Sequence, residues 1–188
     1  MPHLMLKDLP RYECLLEAAR EFPDLDPSAT AAFLHVLRTG DEAFRVVESH
    51  LAEFEITQGR FGVLMALWGN GAHEGCRSPL SPAEIADRTG VTRATITGLV
   101  DTLERAKLVE RTPNSDDRRM TAVALTPQGE ALLVKILPAH FRQMAWLMSP
   151  LNESERETLV RLLTKVLGRA AERPSPVGGE AEPVAVRA

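Results

Sequence analysis

A chain of 188 residues, 44% of them apolar and 26% charged, has the material for a substantial core and reads as a soluble globular protein. Its net charge of −4 excludes a uniformly basic nucleic-acid coat, and its 2 cysteines, Cys14 and Cys76, make neither a disulfide framework nor a CxxC metal knuckle. Apolar runs such as Phe61 to Trp68 fall well short of the roughly 20 residues of a membrane span, and the start lacks a basic, apolar leader, so a cytoplasmic protein is expected.

Arg11 to Phe22 reads as a short helix closed by Pro23. Asp26-Pro27 then supplies an N-cap with proline in the first turn, and a long helix is predicted from there to about Glu53. Leu37, Phe44 and Leu51 recur every seven residues along it, with Val47 and Phe54 on the neighbouring row, a stripe suited to another helix. Thr57 restarts a helix through Trp68, in which Phe61, Leu64, Met65 and Trp68 share one face. After a loop over 71–80, Ser81-Pro82-Ala83-Glu84 is a capping box that opens a short helix ending near Gly90. Thr92 caps the next, whose apolar set is Ile96, Leu99, Val100 and Leu103.

Leu108 to Thr112 and Met120 to Leu125 are short strand candidates joined by the polar stretch Pro113 to Arg119. Thr126-Pro127 opens another helix, which Pro138 is expected to kink, and Asn152 to Glu155 is a second capping box. It starts a last helix with Leu159, Leu162, Leu163 and Val166 on one face, a stripe for a dimer seam or for packing within one subunit. From Pro174 the Pro, Gly, Ala and Glu content reads as a disordered tail. The expected architecture is therefore mainly α with a small β-wing, a winged helix-turn-helix between helical dimerisation arms. Its parts are an extension helix over 1–25, a dimerisation helix over 26–56, a DNA-binding core over 57–126, C-terminal dimerisation helices over 127–172 and a tail over 173–188.

Charge is distributed unevenly along this plan. Residues 1–57 carry 5 basic and 11 acidic side chains, whereas residues 58–188 carry 17 basic and 15 acidic ones. The stretch from Arg88 to Arg119 holds seven basic residues against five acids, a locally basic surface on an acidic protein. It coincides with a helix-turn-helix: a short helix, a glycine turn, and a second helix able to enter a major groove. With Ile96, Leu99, Val100 and Leu103 turned inward, Ala94, Gly98, Asp101 and Arg105 project outward, flanked by Thr95, Thr97 and Thr102. The small, uncharged residues Ala94 and Gly98 permit close approach to base edges. Thr95 and Thr97 can bond to bases or touch a thymine methyl, and Arg93 can reach a phosphate or a guanine. The wing segment Arg-Thr-Pro-Asn-Ser-Asp-Asp-Arg-Arg ends in Arg118 and Arg119, either of which suits the electronegative minor groove. Asp116 is expected to pair with an arginine and orient it. An amphipathic helix pair carrying a solvated hairpin tip would share these patterns without binding DNA.

The joint order of Leu80-Ser81-Pro82-Ala83-Glu84-Ile85-Ala86, Gly90-Val91-Thr92-Arg93-Ala94-Thr95-Ile96-Thr97, Leu103-Glu104-Arg105, Leu108-Val109-Glu110-Arg111, Asp116-Asp117-Arg118-Arg119 and Leu125-Thr126-Pro127-Gln128-Gly129 resembles the MarR (multiple-antibiotic-resistance regulator) family. The likeness extends over residues 28 to 170 or so. It implies a homodimer with interleaved terminal helices that binds a pseudo-palindromic operator in double-stranded DNA, usually as a repressor, until a small molecule or oxidation respaces the recognition helices. The family's Asp-x-Arg wing pattern falls on Asp116 and Arg118, which makes Arg118 the expected minor-groove residue. Effectors in the family often lie between the dimer helix and the winged domain. By that resemblance His35, Arg38, Met65 and Trp68 are expected to line a site for an aromatic or phenolic carboxylate.

Other readings have less behind them. A redox-sensing branch of the family carries a cysteine in the long helix, where this chain has Phe33, and Cys14 sits between Glu13 and Glu17, whose charge disfavours a thiolate. His73 and Cys76 lie in a loop with no second pair of ligands nearby, so no metal site is expected, and His3, His50 and His140 receive no role. No phosphate loop, GxSxG elbow or HExxH motif is present, so neither an enzyme nor a cofactor is expected. A protein-interaction module on a winged-helix fold is the alternative from another class.

Overall fold

The structure, a computed structural model, describes residues 8–70, 78–113 and 121–172. In chain order its elements are α1 (Tyr12–Glu21), α2 (Pro27–Ala52), α3 (Gln58–Trp68), α4 (Pro82–Thr89), α5 (Arg93–Arg105), β1 (Val109–Pro113), β2 (Thr121–Leu125), α6 (Pro127–Leu147) and α7 (Glu153–Ala171). This is the mainly helical winged-helix fold that the sequence predicts.

Local chemistry sets the helix starts. The Asp26 carboxylate accepts from the backbone N–H groups of Ser28 and Ala29 ahead of α2, and those bonds hold its pKa below the ordinary carboxylate value. Thr57 and Thr92 cap α3 and α5 through their hydroxyls. Ser81 with Glu84, and Asn152 with Glu155, form reciprocal capping boxes on α4 and α7. Helix α6 continues through Pro138, so the proline removes one hydrogen bond from the ladder without ending the helix.

The chain divides into two compact units, Met1–Ala145 and Trp146–Ala188. In the first, one continuous core joins Leu51 of α2, Phe61 and Leu64 of α3, Ile85 of α4, Ile96, Val100 and Leu103 of α5, Val123 of β2, and Leu133 and Ile136 of α6. Strands β1 and β2 pair antiparallel, Val109 opposite Leu125 and Pro113 opposite Thr121, and Leu80 bridges to Val123 on the outer edge of β2. In the second unit α7 buries no residue, and Val160, Leu162, Leu163, Val166 and Leu167 are all exposed.

One junction positions the wing. The first turn of α6 closes on the turn between α5 and β1: Thr126 donates its hydroxyl proton to the Lys107 carbonyl at 2.7 Å, and the Thr126 backbone N–H bonds the Leu108 carbonyl at 3.1 Å. A Cβ at Gly129 would lie 2.1 Å from the Leu108 carbonyl oxygen, so only glycine permits this approach.

Candidate nucleic-acid interface

Helices α4 and α5 meet at a turn that requires its residues. Gly90 adopts a left-handed φ of 70° and its N–H bonds the Ala86 carbonyl, which ends α4 and reverses the chain. Two residues later the Thr92 hydroxyl accepts from the Thr95 N–H at 3.2 Å. Ile96, Val100 and Leu103 are fully buried and Leu99 is half-buried, so the opposite face of α5 stands in solvent.

That face is Arg93, Ala94, Thr95, Thr97, Gly98, Asp101 and Arg105, all exposed. Among the described residues Arg93 has no ion-pair partner, leaving its guanidinium free beside the positive end of α5. Thr97 donates its proton to the Arg93 carbonyl at 3.0 Å, so it offers outward an acceptor lone pair and a methyl group. Thr95 and Thr92 share a hydroxyl contact of 2.9 Å. Nothing within 4 Å of a Cβ built on Gly98 crowds that part of the surface. The helix thus presents a shallow, uncharged N-terminal half with one mobile-stemmed cation at its edge, a surface compatible with base edges and a phosphate.

The wing strands stand beside the C-terminal half of α5. There Arg111 of β1 contacts both Asp101 and Glu104 of α5, Nη2 to Oδ1 of Asp101 and Nη1 to Oε2 of Glu104. The Asp101 bond, opposed by partial burial and reinforced by both acidic charges, holds the Arg111 pKa above its ordinary value. The sequence reading assigned Arg111 no partner. Its signal was present in the i, i+3 spacing of Asp101 and Glu104, but the partner strand follows only once the wing packs on α5. Asp116, Arg118 and Arg119 at the wing turn lie outside the described residues, as do His73 and Cys76.

Behind α5 lies a cavity of about 560 Å³, enclosed by Phe44 of α2, Gln58, Gly59, Gly62, Met65 and Ala66 of α3, Arg88 and Thr89 of α4, Val91, and Ile96 and Leu99 of α5. Its walls are largely apolar. Arg88 stands on the lining and bonds the Asn70 side chain at 2.9 Å, and the buried Gln58 Oε1 has no hydrogen-bond partner. Of the four side chains expected to form an effector site, the cavity takes Met65 alone. His35 is exposed and bonds the Ala31 carbonyl, Arg38 pairs with Glu42 at 2.5 Å, and Trp68 packs against the core. Helical rise separates them: with Phe44 as the α2 wall, Arg38 and His35 stand about 9 and 13 Å further along the axis of α2.

Cys14 is exposed on α1, and among the described residues no three His, Cys, Asp or Glu side chains converge as metal ligands. No described helix is long and apolar enough to cross a membrane.

Comparison with known proteins places this geometry in context. Residues 54–120 match the model of the MarR family. The chain is 33% identical over 164 residues to the HTH-type transcriptional repressor YetL of Bacillus subtilis, covering 87% of this chain and 95% of that protein. Among solved structures, it resembles one describing regulation of DNA binding of Bordetella bronchiseptica BpsR by 6-hydroxynicotinic acid, at 27% identity and a TM-score of 0.61, covering 72% of this chain and 98% of that one. It also resembles a mutant E. coli MarR complexed with operator DNA, at 25% identity and a TM-score of 0.62, over 79% of this chain and 96% of that one.

Proposed function

The chain belongs to the MarR family of winged-helix transcription regulators, and from that premise we propose that it is a homodimeric, cytoplasmic repressor released from a pseudo-palindromic operator by a small molecule. The observation that carries the reading is the outer face of α5: exposed, small and uncharged over its first turns, with the unpaired Arg93 at its positive end. In this reading Arg93, Thr95 and Thr97 read the major groove while Ala94 and Gly98 allow close approach. Arg118 enters the minor groove, Asp116 orients it, and Arg119 meets the backbone. Residues 57–126 form the DNA-binding core. Residues 26–56 and 127–172 form the dimer arms, and 1–25 enlarge them. The exposed apolar side chains of α7 support a partner helix there. Two recognition helices must match half-sites one helical turn apart, so a small change in arm geometry releases DNA.

The effector site of this reading is the cavity behind α5. Apolar walls from Phe44, Met65 and Leu99 accommodate a small aromatic ring, and Arg88 offers a cation for a carboxylate. BpsR responds to 6-hydroxynicotinic acid by its structure's description, a ligand of this chemistry. Occupancy presses on Ile96 and Leu99, the buried side of the recognition helix, and a ligand that prefers the released geometry shifts the population toward it.

The test is an anisotropy titration against duplex DNA flanking the protein's own gene, at two salt concentrations and with unrelated DNA as competitor. Competitor-resistant binding that hydroxylated aromatic acids reverse is the expected result, and that reversal should be lost in Arg88→Ala. Binding that is weak and erased by salt would refute the reading.

A further inference from the structure

Arg111 joins the wing to the recognition helix. Its two terminal nitrogens are committed to carboxylates one helical turn apart on α5. All three side chains are partly exposed, 31% for Arg111, 51% for Asp101 and 39% for Glu104, so such pairs contribute little to net stability. Their consequence lies in position and charge. Asp101 and Glu104 sit toward the C-terminal end of α5, where the helix dipole already disfavours anions, and Asp101 projects on the same outer face as Arg93 and Thr97. Uncovered, they would oppose the phosphates that flank a bound groove. Covered by a planar guanidinium, half of their charge is offset, and the fork fixes β1 at one height against α5.

We propose that Arg111 is a positioning residue for DNA recognition: by clasping Asp101 and Glu104 it sets wing strand β1 against the recognition helix and screens two carboxylates from the DNA, without itself touching DNA. The proposal rests on the DNA-binding reading above. It separates from a direct phosphate contact in a variant that also lacks both carboxylates, because removing them restores affinity for the flanking duplex over unrelated duplex only where Arg111 acts through them.

The experiment compares wild type, Arg111→Ala, Arg111→Lys and the charge-neutral triple variant Asp101→Asn/Glu104→Gln/Arg111→Met. Each is titrated with duplex from the region flanking the gene and with unrelated duplex of equal length, at several salt concentrations, after circular dichroism has established equal folding. Arg111→Ala should weaken binding to the flanking duplex roughly tenfold, the low end for one specific contact, and more at low salt than at high salt because the uncovered carboxylates repel phosphates through a screened interaction. Arg111→Lys, able to keep one of the two pairs, should fall between, and the triple variant should regain most of the loss because no uncovered carboxylate remains. A purely structural arginine would show no recovery in the triple variant. Unchanged affinity in Arg111→Ala, a loss that does not shrink as salt rises, or no recovery in the triple variant would each overturn the clasp while leaving the DNA reading intact. Failure of the wild type to bind either duplex would overturn both.

Discussion

The first unit and helix α7 are built from similar residues and treat them in opposite ways. Val63 and Leu64 on α3, Ile96, Val100 and Leu103 on α5, and Leu133 and Ile136 on α6 are buried to zero exposure, whereas on α7 Leu163 is 41% and Leu167 71% exposed. Both regions begin their helices with a capping box. Caps and amphipathic spacing therefore make a helix in either place, but they do not provide it with a partner. The winged core carries its own complement of apolar surface. The stripe on α7 leaves its surface unmatched among the described residues.

This contrast can be broken most forcefully at Gly129. Gly129→Ala drives a methyl group into the Leu108 carbonyl and should cost roughly 3 kcal/mol or more, seen as a lowered urea midpoint, because the obstacle is backbone and cannot turn aside. Next comes a matched pair of leucines. Leu103→Ala should destabilise the fold by about 3 kcal/mol through lost burial and a cavity. Leu167→Ala should change unfolding at low protein concentration by less than about 0.5 kcal/mol while weakening self-association in sedimentation equilibrium. Equal effects of the two on unfolding would remove the distinction between the regions.

Smaller effects sharpen the same comparison within the core. Ser81→Ala deletes one half of the α4 capping box and should cost about 1 kcal/mol by denaturant titration. The smallest effect concerns His140, packed against Phe61 and 6.1 Å from the buried His50. Burial, and then the charge of His50, hold its pKa below the ordinary 6.5. The unfolded chain therefore binds more protons than the folded one below that value, so stability should decline as pH falls from 6.5 and level off once the folded-state pKa is passed. His140→Gln should make that decline shallower in unfolding curves measured between neutral and mildly acidic pH.

Much of the molecule was legible residue by residue. Asp26-Pro27, Thr57, Ser81 with Glu84, Gly90 and Thr92 act through bonds within a few residues of themselves, so each helix boundary in the helix-turn-helix followed from local chemistry. The inward set Ile96, Val100 and Leu103 followed from helical period, as did the exposure of Arg93, Thr95 and Thr97 opposite it. The cavity behind α5 was not legible in the same way. Whether His35 or Phe44 lines a cavity depends on where α3 turns back along α2, and side chains nine residues apart on one helix are separated by more than a ligand's width.

By itself, then, the sequence determined the elements, their order, the buried face of α5 and the exposed face opposite it, because those depend on backbone propensity, capping and period. Only the tertiary structure decided that Arg111 reaches Asp101 and Glu104, that Met65 rather than His35 or Arg38 walls the cavity, and that Gly129 is pinned beneath the Leu108 carbonyl. Each of these joins residues on different elements. Their meeting is set by how those elements pack, which no local pattern encodes.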